Sequence, residues 1–127
     1  MQTFGLVKAF VESLTFTSDN KDLDSQKMDM SYEVGYPEES NSQFAVKFNL
    51  EVNITDTTML HVKYVIVFQA ESELTEEFKE SHLTTVNAPA IGYPYLRAFV
   101  ANLVLNAGFG EAHLPAVNFN KFKKTEH

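Results

Sequence analysis

The sequence lacks cysteine and tryptophan altogether. The absence of cysteine excludes disulfides, thiol catalysis and thiolate metal sites. The sequence also has no apolar run close to the roughly 20 residues that span a bilayer, so no membrane insertion is expected. Residues 1–16 carry Lys8 and Glu12 where the apolar run of a signal peptide would lie. We therefore expect a protein of the cytoplasm.

Basic residues are few. The chain has ten lysines and arginines and seventeen acidic residues, so its net charge is -7. Phosphate backbones are bound by clustered basic side chains, so nucleic acid is not an expected partner. The last residues differ from the rest of the chain, since Lys121, Lys123 and Lys124 make them locally basic on an acidic domain.

Aromatic residues are plentiful, with eleven phenylalanines and five tyrosines, and 44% of the chain is hydrophobic. A chain of this length and composition can bury about two-thirds of its surface around one core without a disulfide or a metal. Residues 1–127 are therefore expected to form a single domain.

Alternating apolar and polar residues predict four strands, over about 4–16, 27–36, 43–54 and 58–70. The clearest alternation lies in 43–54, where the apolar positions are Phe44, Val46, Phe48, Leu50, Val52 and Ile54. Pro37 ends the preceding strand. The short polar connections 38–42 and 56–57 favour two hairpins.

The first and fourth strands are apolar on both faces. In 58–70, Val65 and Val67 add an apolar stretch to the second face. In 4–16, one side is expected to carry Phe4, Leu6, Phe10, Leu14 and Phe16, and the other Val7, Ala9 and Val11. A strand that is apolar on both faces needs two covers, and one of them can be another subunit.

The spacing of apolar residues becomes helical after Glu71. Thr75 is a suitable N-cap for a helix over about 75–82. A second helix, over about 89–107, is expected to restart or kink at Pro94 and to end before Gly108. An apolar tail, 109–122, follows. This order predicts an α+β fold, a four-stranded antiparallel sheet followed by two helices packed on one face.

Reactive groups form no recognisable constellation. Asp19, Asp22 and Asp24 lack the glycine and the final glutamate of a calcium loop, and the histidines are dispersed. We predict no catalytic residue, no metal and no cofactor. One alternative left open is a small-molecule-binding or hydrolytic domain that uses His61 or His82 with a carboxylate.

The string from Asn87 to Phe119 resembles the C-terminal signature of the SecB family of bacterial export chaperones. In that family a Pro-Tyr-x-Arg segment opens the long helix, and a Pro-Val-Asn-Phe-like stretch follows it. The matching residues here are Pro94-Tyr95-Leu96-Arg97 and Pro115-Ala116-Val117-Asn118-Phe119. The strand order fits the family as well, but only residues 87–119 are specific.

The resemblance implies a homotetramer, built from two dimers, that holds unfolded polypeptides in long apolar grooves without ATP. Surplus aromatics and two-faced strands would then serve assembly and client capture. By position, the residues expected in the groove are Tyr32, Tyr36, Phe99, Leu103, Phe109 and Phe119. A further alternative is an oligomeric interaction module that has the same fold but no chaperone activity.

The sequence also departs from the family pattern. Typical members dock the export motor SecA through acidic residues on the first and fourth strands and through a C-terminal tail with a zinc site. Here those strand positions are Ser13, Thr17 and Lys63, with Glu12 beside the first, and the last residues are basic and free of cysteine. The sequence is thus similar to a divergent member without the zinc-binding tail. These departures argue against a classical hand-off to SecA, and export and antitoxin protection, a role of some relatives, stay alternatives.

Overall fold

The computed structural model describes residues 3–25 and 27–121. Within them lie four strands: β1 (Phe4–Thr17), β2 (Met28–Gly35), β3 (Gln43–Asn53) and β4 (Met59–Ala70). The strands are followed by helix α1 (Glu76–Glu80), a π-helical turn (Leu83–Asn87) and helix α2 (Ala88–Asn106). The predicted α+β class is confirmed, and each strand bound agrees with its prediction to within one residue. Phe122, Lys123 and Lys124 lie outside the described residues.

The strands form one antiparallel sheet in the order β1-β4-β3-β2. The two predicted hairpins are β2–β3 and β3–β4, in which Tyr32 pairs with Phe48 and Phe48 with Tyr64. A polar connection leads from β1 to β2 along the chain, but these two strands do not pair. Strand β1 pairs with β4 instead. Strands β1 and β2 therefore form the two edges of the sheet.

The core lies between α2 and the face of the sheet that α2 covers, which we call the inner face. On β3 the predicted alternation is complete, and the inner-face residues Phe44, Val46, Phe48 and Leu50 have no exposed surface. Helix α2 adds the buried residues Tyr93, Leu96, Val100 and Val104 at helical spacing. Burying one large apolar side chain contributes about 1.5–3 kcal/mol, so this layer dominates the stability of the domain.

Strand β1 differs from its predicted facing because its register with β4 shifts twice, between Leu6 and Lys8 and between Val11 and Ser13. Each bulge places one extra residue in β1 and reverses which face the following side chains occupy. Phe10 therefore pairs with Val65 on the outer face. The prediction that Phe10 shares a side with Leu6 is wrong for this reason. The prediction that Ala9 and Val11 lie on the opposite side is also wrong, since they pair with the inner-face residues Ile66 and Tyr64.

The helix ends follow the predicted signals. Thr75 caps α1, since its hydroxyl accepts a hydrogen bond of 3.0 Å from the backbone N–H of Phe78. At the other end of the helical region, Gly108 has a φ of 91° and donates its N–H to the carbonyl of Leu105. Such a φ is unfavourable for residues with a Cβ, which explains why glycine ends the helix.

The region between the two helices differs from the prediction. Helix α1 ends at Glu80, and the π-helical turn runs directly into α2, so the second helical segment begins before Pro89. Pro94 lies inside α2, which continues without a break to Asn106. The helix therefore does not restart at Pro94, because the fold tolerates the loss of one backbone hydrogen bond there. The alternative, a kink at this residue, stays a prediction. Among the described residues, neither helix is both long and apolar enough to cross a bilayer.

Gly92 sets how closely α2 approaches the sheet. A Cβ atom at this position would lie 3.0 Å from Cγ1 of Ile66 and 3.4 Å from Cε2 of Phe48. Both neighbours are fully buried core residues, so neither can move aside easily.

We expect Gly92→Ala to lower the free energy of unfolding by about 1 kcal/mol, because overpacking costs more than the helix propensity of alanine returns. Urea unfolding followed by circular dichroism measures this change. Gly5→Ala is the control, since a Cβ there meets nothing within 4 Å. A Gly92→Ala protein as stable as the wild type would contradict the close approach of α2.

Candidate binding groove

Two of the predicted groove residues, Tyr32 and Phe119, lie together. Their ring centroids are 5.5 Å apart in an edge arrangement. Phe119 also contacts the rings of Phe48 on β3 and Tyr93 on α2, at 6.4 Å and 5.7 Å. We call the surface formed by Tyr32, Phe48 and Tyr93 the aromatic strip; it lies between the β2 edge of the sheet and α2. Phe119 covers this strip.

Tyr36 lies elsewhere, beside α1. Its ring packs 6.3 Å from Phe44, and its hydroxyl donates a hydrogen bond of 3.2 Å to the carbonyl of Lys79. The ammonium of Lys79 lies 5.0 Å from the centre of the same ring. Tyr36 therefore anchors α1 to the sheet through both ends of one lysine residue.

The other three residues lie towards β1 and β4. Phe99 stacks on Tyr64 with a centroid distance of 5.2 Å, and half-buried Leu103 follows one helical turn later. Phe109, which is 36% exposed, stacks on Phe16 at the end of β1. The structure thus distributes the six predicted residues over separate places, and their assignment to one groove stays a prediction.

The chain itself covers the aromatic strip. Residues 111–121, which we call the tail, contain no helix or strand, yet Ala112, Leu114 and Phe119 are buried. The hydroxyl of Tyr93 donates a hydrogen bond of 2.6 Å to the carbonyl of Pro115. The tail therefore lies along the strip in the manner of a bound peptide, with apolar side chains directed inwards and one carbonyl hydrogen-bonded.

Phe48 and Tyr93 are not among the groove residues expected from the sequence. Tyr93 belongs to the buried stripe of α2 with Leu96, Val100 and Val104, and this spacing was the signal that could have found it. The sequence could not show that this stripe ends beside β2, because that position depends on where α2 crosses the sheet.

Three tyrosine hydroxyls join separate segments of the chain, two of them at the aromatic strip and one beside α1. Tyr32 donates to the carbonyl of Thr85 at 2.7 Å, Tyr36 to Lys79 and Tyr93 to Pro115. Burial raises the pKa of each tyrosine above the ordinary value of 10.0, and nearby Arg97 partly offsets this rise in pKa for Tyr93. Only the protonated hydroxyl can donate to these carbonyls.

We expect the free energy of unfolding to be unaffected by these groups below about pH 10 and to fall as the pH rises through the raised pKa values of the folded protein. Tyr93→Phe should cost about 1 kcal/mol at neutral pH and make the alkaline decline less steep. Urea unfolding at a series of pH values measures both effects. Tyr95→Phe, at an exposed tyrosine of the same helix, is the matched control, and equal slopes for the two variants would contradict the role of Tyr93.

Large apolar side chains remain exposed in two further places. On the edge strand β1 they are Val7, Phe10 on the outer face, and Val11 and Leu14, which pair with the inner-face residues Tyr64 and Val62. On α2 they are Ile91, Tyr95 and Leu105. An edge strand presents unpaired backbone groups as well as side chains, so β1 offers both kinds of contact to a partner. These are surfaces that a water-exposed monomer rarely leaves uncovered.

The outer face of the sheet carries the positions where the family pattern places acidic residues. Lys63 pairs in register with Ser13. Glu12, the adjacent acidic residue, forms a salt bridge of 3.0 Å with Lys47 on β3. Its charge is therefore balanced within the chain, and this part of the outer face is not an acidic patch.

Within the described part of the chain, neither His61 nor His82, the two histidines of the hydrolytic alternative, forms a hydrogen bond or an ion pair with a carboxylate. In contrast, Nε2 of exposed His113 lies 3.3 Å from Oε2 of nearby Glu111. Nε2 of His61 lies 2.6 Å from Oδ1 of Asn49, an amide and not a carboxylate. His82 is exposed just before the π-helical turn. No group of three potential ligands in residues 3–25 and 27–121 is placed to hold a metal ion, and this includes Asp19, Asp22 and Asp24.

Comparisons with known proteins agree on one family. A family model described as preprotein translocase subunit SecB matches residues 2–126. A protein-export protein SecB of Methylibium petroleiphilum is 35% identical over 77 residues, which cover 54% of this chain and 47% of that protein. The SecB of Herminiimonas arsenicoxydans is 24% identical over 128 residues, covering 94% and 77%. The chain thus spans about half the length of relatives such as the first of these.

Two solved structures share the fold. A SecB-like chaperone of Mycobacterium tuberculosis, in complex with a ChAD peptide from an antitoxin, has a TM-score of 0.67 at 15% identity and 90% coverage of both chains. A protein of unknown function from Streptococcus agalactiae has a TM-score of 0.57 at 10% identity, covering 92% of this chain and 99% of that one. At these identities the likeness shows the fold alone.

Proposed function

Because the chain belongs to the SecB family, we propose that it acts as an ATP-independent holdase that binds non-native polypeptides in apolar grooves. The observation that carries this proposal is the aromatic strip, whose cover is an irregular segment and not a strand or helix. A peptide held in an extended conformation needs such a surface, with apolar pockets and a few polar groups for its backbone.

Binding of this kind requires no nucleotide. Apolar burial is non-directional and roughly proportional to the area removed from water, so many different sequences can be held with similar free energy. The net charge of -7 would keep a loaded complex soluble and favour basic clients.

The exposed apolar residues of β1 and α2 support a homotetramer, assembled as a dimer of dimers. Two separate surfaces are available, one on the edge strand and one on the helix, and a dimer of dimers uses two different interfaces. The alternative is an oligomeric interaction module of the same fold that does not hold unfolded chains.

The client is either a protein on its way to export or a specialised one such as an antitoxin. The M. tuberculosis neighbour was solved with an antitoxin peptide, which supports the second role. The Glu12–Lys47 salt bridge and Lys63 on the outer face support a role that does not depend on docking to SecA. The cytoplasmic location stays a prediction.

We expect the protein at several-fold excess to delay aggregation of a slowly folding polypeptide without nucleotide, as measured by light scattering. Phe109→Ser should shorten this delay, because it removes an exposed ring that stacks on Phe16. Asn106→Ser changes an exposed polar residue nearby and should leave the delay unchanged. Unchanged aggregation with the wild type would refute the holdase.

We expect the wild type to have the mass of a tetramer in solution, measured by light scattering after gel filtration. Val11→Glu on β1 and Leu105→Glu on α2 should each lower the mass, because both place a charge on an exposed apolar surface. Ser13→Glu and Asn106→Glu, at exposed neighbouring positions, are the controls. A monomeric wild type would count against both the tetramer and the interaction module.

A further inference from the structure

The tail is joined to the body of the domain by a turn that contains two glycines with positive φ. Gly108 and Gly110 have φ values of 91° and 86°, conformations that residues with a Cβ rarely adopt. Helix α2 has ended at Asn106, and no strand or helix follows as far as Lys121. The tail is therefore a separate segment that takes no part in the regular backbone hydrogen bonding of the sheet or of α2.

The local sequence of the tail favours an extended chain as far as Asn118, where a turn begins that is closed by a hydrogen bond from the N–H of Lys121 to the carbonyl of Asn118. Proline at position 115 restricts its own φ and biases Leu114 before it towards extended conformations. Leu114 and Phe119 are buried and Val117 is half-buried. These three side chains anchor the tail at intervals of three and two residues, while Ala116 and Asn118 between them are exposed.

The contacts of the tail are those that an unrelated extended peptide could make. The ring of Phe119 fits among Tyr32, Phe48 and Tyr93. The hydroxyl of Tyr93 binds a backbone carbonyl, that of Pro115, and every peptide has such a carbonyl. Recognition by apolar side chains and by the backbone selects for extended chains with suitably spaced anchors.

We propose that the tail occupies the client site as an intramolecular substitute, and that a client binds the aromatic strip by displacing it. This inference rests on the proposed holdase function and specifies its substrate: an extended segment with two aliphatic anchors followed by an aromatic one, spaced as Leu114, Val117 and Phe119 are. Covering the strip with the tail keeps three large rings out of water when no client is bound.

The competing model keeps the tail in place and makes Phe119 a fixed wall of the groove. The two models predict opposite results when the anchor is weakened. If the tail competes with the client, a weaker anchor strengthens client binding, because the open state is more populated. If Phe119 is a wall, the same change weakens client binding.

The absence of tryptophan from the chain allows a direct test of displacement. Phe119→Trp places a single tryptophan on the strip, where its emission reports a buried ring. The probe is a peptide with the sequence of residues 111–121, and the control peptide carries serine in place of the three anchors. We expect the first peptide to shift the emission to longer wavelength and the second to leave it unchanged. Phe10→Trp, on the outer face of the sheet, should respond to neither.

Affinity is measured with the same peptide, labelled, by fluorescence anisotropy. Phe119→Leu keeps an apolar side chain on the strip but weakens the anchor, so it should bind the peptide about fivefold more tightly than the wild type, or better. Ala116→Ser, at an exposed position between the anchors, should not change the affinity. Unchanged or weaker binding by Phe119→Leu would overturn the proposal, as would an emission of Phe119→Trp that saturating peptide does not shift.

The aggregation assay separates failure of this inference from failure of the proposed function. If the wild type delays aggregation but Phe119→Trp shows no displacement, the proposed holdase function stands and the proposal of a competing tail is refuted. If the wild type has no effect on aggregation, the holdase function itself is refuted. Urea unfolding tests whether Phe119→Leu is folded. If it is not, the emission of Phe119→Trp decides whether the peptide displaces the tail.

Discussion

The mismatch in width between the sheet and the helix that covers it shapes the whole structure. Four strands about 4.8 Å apart place the two edge strands roughly 14 Å from each other, whereas one helix with its side chains is about 10–12 Å wide. Helix α2 lies over the centre, where Gly92 lets it approach Ile66 and Phe48 closely. The margins beside β1 and β2 must therefore be covered by something else.

The two margins are covered in different ways. At the β2 margin the tail lies over three aromatic rings, with Phe119 in contact with all of them. At the β1 margin Phe109 stacks on Phe16, but Val7, Val11 and other apolar side chains remain exposed. Apolar burial has no directional requirement, so a tail, a client segment and a second subunit can serve such a margin equally. The helices and strands thus leave apolar margins of the sheet uncovered, and these margins are available for polypeptide binding and for assembly.

Most of the fold could be predicted because it depends on local patterns. Alternation in β3, the Thr75 cap and the glycine after α2 are each visible within a few residues, and each was found where expected. The facing of Phe10 could not be predicted, because a bulge is a property of how two strands pair and leaves no period in either one. The unbroken passage of α2 through Pro94 depends likewise on the packing of the helix, which outweighs one missing hydrogen bond.

The sequence alone determined the class of the fold, the number of strands and their order along the chain, the absence of thiol chemistry and the excess of aromatic side chains. Only the tertiary structure decided which aromatics meet. Tyr32 and Phe119 come together although 86 positions separate them in the sequence, while Phe99 and Phe109 lie beside other partners. The reason is physical: periodicity fixes the face that a side chain occupies on its own element, whereas its neighbours depend on where the elements cross and where an irregular tail lies.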